Sequence, residues 1–173
     1  MTQGLRLTVA LLLTLSSIAC GGSSSTGPSL TATFSPGAAA TNNSVTLEEV
    51  SSSGSTVTVA VKFNVIAEPF KGATVDITYD AAVISVLSVS QGNLLTGSIS
   101  FLSTDDGAGS LLISNVDASP SGSTSGTLCT LTFKGIAAGS GAVTLLAASS
   151  AIFNGSGDTI PGVTWSGGTV TVN

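Results

Sequence analysis

The sequence predicts a single all-β domain, an antiparallel sandwich of about nine strands, and two observations support this. From Leu30 onwards, short runs of alternating apolar and polar residues follow one another, and no window repeats with the period of a helix. Asn-Gly, Asp-Gly, Ser-Gly and Gly-Gly steps separate these runs, and such steps tolerate the positive φ angles of tight turns. Strands with one buried face and short connections are typical of a β-sandwich.

The clearest strand is Thr56 to Val65, in which five apolar residues of one parity alternate with residues that include Thr58 and Lys62. Gly72 to Tyr79 alternates in the same way. Asn43 to Val50 is predicted as either an edge strand or a loop, with its glutamates in water. Further strands are predicted at Leu30 to Phe34, Val83 to Val89, Ser98 to Leu102, Ser110 to Val116, Thr127 to Lys134, Ala142 to Ala148 and Gly168 to Val172.

The residues of inward parity on these strands form the predicted core. Removing several methylene groups from any of them is expected to cost roughly 2 to 5 kcal/mol. They are Val57, Val59, Val61, Phe63, Val75, Ile77, Tyr79, Leu111, Ile113, Leu131, Phe133, Val143, Leu145, Val170 and Val172.

The first twenty residues have the layout of an export signal. One cation, Arg6, precedes an apolar run that ends in small residues, and this run is too short to span a membrane. Ser17-Ile18-Ala19-Cys20 resembles a bacterial lipobox, in which the cysteine is lipidated and becomes the first residue. We therefore expect a signal peptide at 1–19, lipidated Cys20 within a Gly/Ser-rich tether at 20–29, and the folded domain at 30–173. The alternative is an ordinary secretory signal cut near Ala19.

Composition excludes several classes of function. After removal of the signal, three lysines face nine carboxylates, so nucleic acid is not expected as a partner. The chain has no histidine, which excludes Ser-His-Asp and Cys-His catalysis. Cys129 has no cysteine partner once Cys20 is lipidated, and its strand position predicts a buried apolar side chain. We expect a protein that is not an enzyme and has no cofactor.

Two further features are candidate sites. Asp105-Asp106-Gly107 could contribute oxygen ligands to calcium, but a tight turn between strands explains it more simply, and no metal site is predicted. Trp165 is the one plausible platform for a sugar ring, and the alternative is packing along the edge of the sandwich.

The serial order of segments resembles that of a cohesin domain over residues 30 to 172. In the first half it includes Ile77-Thr78-Tyr79-Asp80 and Gln91-Gly92-Asn93-Leu94-Leu95; in the second half it includes Val116-Asp117-Ala118 and Leu131-Thr132-Phe133-Lys134. The resemblance implies a nine-stranded jelly-roll sandwich. It also implies a binding module whose family recognises dockerin modules in cellulose-degrading assemblies.

By this resemblance, one sheet face receives the partner, and it includes the strands at 72–78, 98–102, 110–116 and 142–148. Outward parity on these strands selects Thr74, Asp76, Thr78, Leu112, Ser114 and Val116, with Leu102 and Leu146 at the margins. Leu112 and Val116 predict an exposed apolar patch unless a loop or Asn43 to Val50 covers them.

Three functions stay open at this point. The leading prediction is a surface-anchored binding module that takes a dockerin-type or other protein partner. It would be held by lipid on Cys20 in the cell envelope, at the outer membrane or cell surface. The alternatives are a carbohydrate-binding module that uses Trp165 and a structural envelope lipoprotein without a specific ligand.

Overall fold

Twelve strands form two sheets in the computed structural model, which describes residues 29–173 apart from residues 96 and 122. The predicted signal peptide, Cys20 and the tether up to residue 28 lie outside the described residues. The strands are β1 (Ala32–Pro36), β2 (Ser44–Ser53), β3 (Thr56–Asn64), β4 (Phe70–Tyr79), β5 (Ile84–Gln91), β6 (Ser98–Asp105), β7 (Ser110–Asp117), β8 (Gly126–Gly135), β9 (Gly139–Leu145), β10 (Ala151–Asn154), β11 (Thr164–Ser166) and β12 (Gly168–Val172).

The first sheet has the strand order β1-β12-β9-β4-β7-β6. β10 also pairs with β4, and it lies beyond the end of β9 along the same strand. β9 is paired with Ile77 to Tyr79 of β4, whereas β10 is paired with Phe70 to Thr74. The two short strands therefore share one side of β4 and together extend the sheet along its full length.

The second sheet has the order β11-β2-β3-β8-β5. β3 pairs antiparallel with both β2 and β8, whereas β11 lies parallel to β2. Between β2 and β3, Ser53 is opposite Thr56, so Gly54 and Ser55 make a two-residue turn. Gly54 has a φ of +53°, which a residue without a Cβ adopts at little cost.

The two sheets enclose one apolar core, and every predicted core residue is buried in it. The alternating strands β3, β4, β7 and β8 supply most of the core side chains. Phe63 and Phe70 pack in a tilted arrangement with ring centroids 5.4 Å apart. Each fully buried aliphatic or phenyl side chain contributes about 1.5 to 3 kcal/mol to folding.

The predicted all-β sandwich is confirmed, with more strands than the pattern indicated. The Asn43 to Val50 segment forms most of β2, an interior strand of the second sheet and not an edge strand or a loop. The strand predicted at Ala142 to Ala148 ends earlier, at Leu145, because residues 147–149 turn away from the sheet. β10 and β11 were not predicted, since strands of four and three residues are too short to show alternation.

Candidate partner-binding face

The outer face of the first sheet brings together the four strands that the sequence had grouped. β9, β4, β7 and β6 are consecutive neighbours, and β4 and β7 are paired without interruption from Gly72 to Thr78. Because alternate residues of a strand point to opposite faces, burial of Val75 and Ile77 places the residues between them on the outer face. The sheet therefore presents one continuous outer surface.

All six predicted face residues lie on this surface. Thr74 is directly opposite Ser114 across the β4–β7 pair, and Asp76 is directly opposite Leu112. Thr78 and Val116 occupy the two ends of the same paired stretch. The β4 members are half-buried among the residues that the structure describes, as expected in the middle of a sheet.

Among the side chains that the structure describes on this face, three large apolar ones are exposed. Leu112 and Val116 each have 42% of their surface exposed, and Leu102 on β6 has 57% exposed. Leu102 is opposite Ser114, so it lies diagonally between the other two, at a spacing of roughly 7 to 8 Å. We call these three residues the apolar patch. The Asn43 to Val50 segment does not cover it, because β2 belongs to the opposite sheet.

A turn after β9 supports the middle of the face at Asp76. The Ser149 hydroxyl donates to Oδ2 of Asp76 at 2.6 Å, and the Asp76 N–H donates to Oγ of Ser150 at 2.9 Å. The N–H of Leu146, which is half-buried at the margin, donates to the Asp76 carbonyl oxygen at 2.8 Å. This turn therefore fixes the orientation of the carboxylate that stands beside Leu112.

The sequence did not indicate a groove at one end of the face. Its volume is about 330 Å³, and Lys71, Gly72, Val116 and Phe153 line it together with residues 154–157. Phe153 belongs to β10 and is paired with Gly72. Because β10 has no readable alternation, no sequence pattern could have placed Phe153 beside Gly72.

In the Asp105-Asp106-Gly107 segment, Asp105 is the last residue of β6, and Asp106 and Gly107 lie in the turn between β6 and β7. Oδ1 of Asp106 accepts hydrogen bonds from the N–H groups of Ala108 at 2.8 Å and Ser110 at 2.9 Å. These bonds hold the pKa of Asp106 below its ordinary value. Among residues 29–173, apart from 96 and 122, no group of three or more potential metal-ligating side chains comes together.

Trp165 is half-buried and packs against the core from β11, at the edge of the second sheet. It is paired in parallel register with Val45 of β2 and contributes one wall of a shallow groove of about 360 Å³. Trp165 thus packs along the edge of the sandwich, and a sugar contact at this residue stays a prediction.

Cys129 is fully buried on β8 opposite Val61, as its strand position predicted. Burial raises the pKa of its thiol to about 12, so the reactive thiolate is strongly disfavoured at neutral pH. Within the part of the chain that the structure describes, no helix is long and apolar enough to cross a membrane.

An exposed, partly apolar sheet face often marks a site of protein interaction. The cohesin-domain family model matches residues 41–172 of this chain. The chain therefore belongs to the cohesin family, whose members are non-catalytic modules that bind protein partners. None of the curated proteins searched matches it.

Solved cohesin structures have the same fold. A type II cohesin dyad from the ScaA scaffoldin of Acetivibrio cellulolyticus is 18% identical with a TM-score of 0.63, and the match covers 75% of this chain and 48% of that one. This chain thus spans about half the length of the dyad. A non-cellulosomal cohesin from the archaeon Archaeoglobus fulgidus is 22% identical with a TM-score of 0.56, and the match covers 79% and 88%.

The crystal structure of the CaDoc0917–CaCohA2 complex gives 25% identity and a TM-score of 0.61, and the match covers 82% of this chain and 99% of that one. Other similar structures are cohesins of Acetivibrio cellulolyticus in complex with a dockerin.

Proposed function

We propose that this cohesin domain is a receptor module that binds a dockerin-type protein partner through the outer face of the first sheet. The observation that carries the proposal is the apolar patch of Leu102, Leu112 and Val116, which lies among the Thr, Ser and Asp side chains of β4 and β7. The family supports a protein as the partner.

The geometry suits a rigid docking platform. β4 and β7 lie between strands on both sides, so the backbone beneath Leu112 and Val116 is fixed by hydrogen bonds of the sheet. A partner that covers the patch removes apolar surface from water, which is worth about 25 cal/mol per Å². The hydroxyls of Thr74, Thr78 and Ser114 and the carboxylate of Asp76 offer polar contacts around it.

We further propose that lipid on Cys20 holds the module outside the cytoplasm, in the cell envelope at the outer membrane or cell surface. The lipobox-like Ser17-Ile18-Ala19-Cys20 supports this, as does the Gly/Ser-rich stretch that follows. The extracellular or cell-surface setting of cohesins is consistent with such a location.

The binding proposal is tested with the exported chain from residue 20 carrying Cys20→Ser, immobilised and offered a panel of type I and type II dockerins. Leu112→Asp combined with Val116→Asp places two charges in the patch and should weaken capture at least 100-fold. The matched control is Leu87→Asp, because Leu87 is 59% exposed on β5 of the other sheet.

Loss of capture in the patch variant, with full capture in the Leu87→Asp control, is the expected result. Equal capture by the wild type and the patch variant would show that the partner binds elsewhere. A wild-type domain that captures none of the dockerins would contradict the proposed partner class.

A further inference from the structure

The groove at the end of the outer face exists because residue 72 is a glycine and fills no space between its neighbours. Phe153 of β10, Gly72 of β4 and Val116 of β7 are in register across three neighbouring strands. Strands lie about 4.8 Å apart, so two apolar side chains stand roughly 10 Å from each other with only a glycine between them. We call this gap the Gly72 notch.

A side chain added at position 72 would fill the notch and press against the neighbouring strand. A Cβ at position 72 would lie 3.2 Å from the carbonyl oxygen of Asn115 and 3.5 Å from Cγ2 of Val116. A longer side chain at position 72 would therefore occupy the notch itself. Glycine here leaves space on the outer face, because its φ does not require a residue without a Cβ.

A tight loop after β10 forms one wall of the notch. The side-chain oxygen of Asn154 accepts hydrogen bonds from the N–H groups of Ser156 and Asp158, both at 3.0 Å. The Asn154 N–H donates to the Asp158 carbonyl oxygen at 2.8 Å, which closes the loop. Gly157, with a φ of +92°, completes the turn. These bonds hold the wall in place without a partner.

Charge on the face distinguishes the two ends of β4. Lys71 lines the notch, whereas Asp76 lies farther along the strand and is already engaged by the Ser149 hydroxyl. A partner group that enters the notch therefore meets an apolar gap whose lining includes the side chain of one lysine. The complementary group is an aliphatic side chain with a carboxylate beside it.

We propose that the Gly72 notch is an anchoring subsite that takes one branched aliphatic side chain of the protein partner, next to a partner carboxylate that pairs with Lys71. This rests on the proposed function and deepens it, because the notch is continuous with the apolar patch through Val116. A well-packed apolar anchor of this kind is where binding energy concentrates in protein interfaces.

The test uses N-acetyl-L-leucine as the probe, since it carries an isobutyl group and a carboxylate. Its binding to the ¹⁵N-labelled chain from residue 20 with Cys20→Ser is followed by amide chemical shifts. A ligand of this size in a preformed notch should bind with a dissociation constant in roughly the millimolar range. The shifts should centre on Gly72, Val116 and Gly155.

Three variants and one control variant define the site. Gly72→Leu fills the notch and should abolish the shifts, while Thr144→Leu adds the same side chain at an exposed position of β9 and should leave them intact. Phe153→Ala removes a wall without adding bulk and should also weaken binding. Lys71→Gln should weaken N-acetyl-L-leucine about two- to fivefold and leave the uncharged N-acetyl-L-leucinamide unaffected.

The outcomes separate this subsite from the wider proposal. Shifts centred elsewhere, or unaffected by Gly72→Leu and Phe153→Ala, would overturn the notch even if dockerins are still captured. If the same amide shifts change when the protein is diluted without N-acetyl-L-leucine, a second copy of this chain occupies the notch. That result also overturns the proposal. Binding of the probe together with no dockerin capture would retain the notch and remove the dockerin assignment.

Discussion

Tyr79 shows that an inward-facing residue can have a polar partner that the alternation of its strand does not predict. Tyr79 follows the core pattern, and its ring packs against Phe133 with centroids 6.0 Å apart. Its hydroxyl reaches the sheet margin and donates to Oδ1 of Asp105 at 2.7 Å. Burial, and then this hydrogen bond to a carboxylate, raise the pKa of Tyr79 to about 12.

We predict that the domain loses stability as the pH rises from about 9 to 12. The folded state holds the protons of Tyr79 and Cys129 more tightly than the unfolded chain, in which these groups have pKa values of about 10 and 8.5. Stability from both groups is therefore complete below those unfolded values and declines as the pH approaches 12. Urea unfolding at pH 7, 9 and 10.5 measures the decline.

Two variants assign the alkaline loss to its sources. Tyr79→Phe should cost about 1 kcal/mol at pH 7 through the lost hydrogen bond, and should flatten the curve above pH 10. Cys129→Ala should instead remove the part that begins near pH 9. If Tyr79→Phe and the wild type lose the same stability between pH 9 and 10.5, the folded state does not hold the Tyr79 proton more tightly than the unfolded chain does.

At the scale of elements, strands with strong alternation could be predicted and short strands could not. Val57 to Phe63 and Ala73 to Tyr79 place their inward residues by parity alone, and the same parity exposed Leu112 and Val116. The Gly72 notch was beyond reach, because it depends on β10 lying beside β4. That contact is between residues far apart in sequence and leaves no local pattern.

The alternation of β2 and β11 is weak, and hydrogen bonds of Asn43 help to hold these strands in place. Asn43, just before β2, has a φ of 54°, a conformation that asparagine tolerates better than most residues. Its N–H donates to the Val65 carbonyl oxygen, and its own carbonyl oxygen accepts from the Thr164 N–H at 3.0 Å. Its side-chain amide donates to the Pro161 carbonyl oxygen at 3.2 Å. One residue thus joins three connections at this end of the sandwich.

We predict that Asn43→Ala destabilises the domain by roughly 1 to 3 kcal/mol, since it combines backbone strain with lost side-chain hydrogen bonds. Asn43→Gly relieves the strain but not the lost bonds, so it should cost less. Hydrogen exchange should show the greatest loss of protection at Thr164 to Ser166, where β11 is held by this residue. Equal destabilisation by both variants would mean that strain at position 43 contributes nothing.

The whole molecule has two distinct ends. The chain enters the described domain where the Thr31 N–H donates to the Asn173 carbonyl oxygen, beside the β2–β3 turn. β4 ends at this same end, at Tyr79. Just after it, the Val83 carbonyl oxygen accepts a hydrogen bond from the Ile136 N–H. Gly72 lies near the start of β4, seven residues away or roughly 23 Å at 3.3 Å per residue. The notch therefore lies at the end opposite the point where the chain enters.

This arrangement gives the proposed anchor a geometric consequence. Lipid on Cys20 would place the entry end, which carries Asp80, Asp105 and Asp106, toward the membrane. The notch would then face away from the bilayer, where a partner can reach it. An acidic end near anionic headgroups would be repelled, so the Gly/Ser-rich tether is expected to keep the domain off the surface.

We predict that the exported protein begins at Cys20 and carries diacylglyceryl and acyl mass on it, measured as the intact mass and the mass of the N-terminal peptide. Cys20→Ser should leave this mass absent and release the protein from the membrane fraction. The melting temperature of the domain should not change, because residue 20 precedes every strand. Buried Cys129 serves as the internal control, since its thiol should remain unmodified in both proteins. An N-terminus at another residue, without acyl mass, would make this chain a secreted cohesin whose notch has no fixed orientation to a membrane.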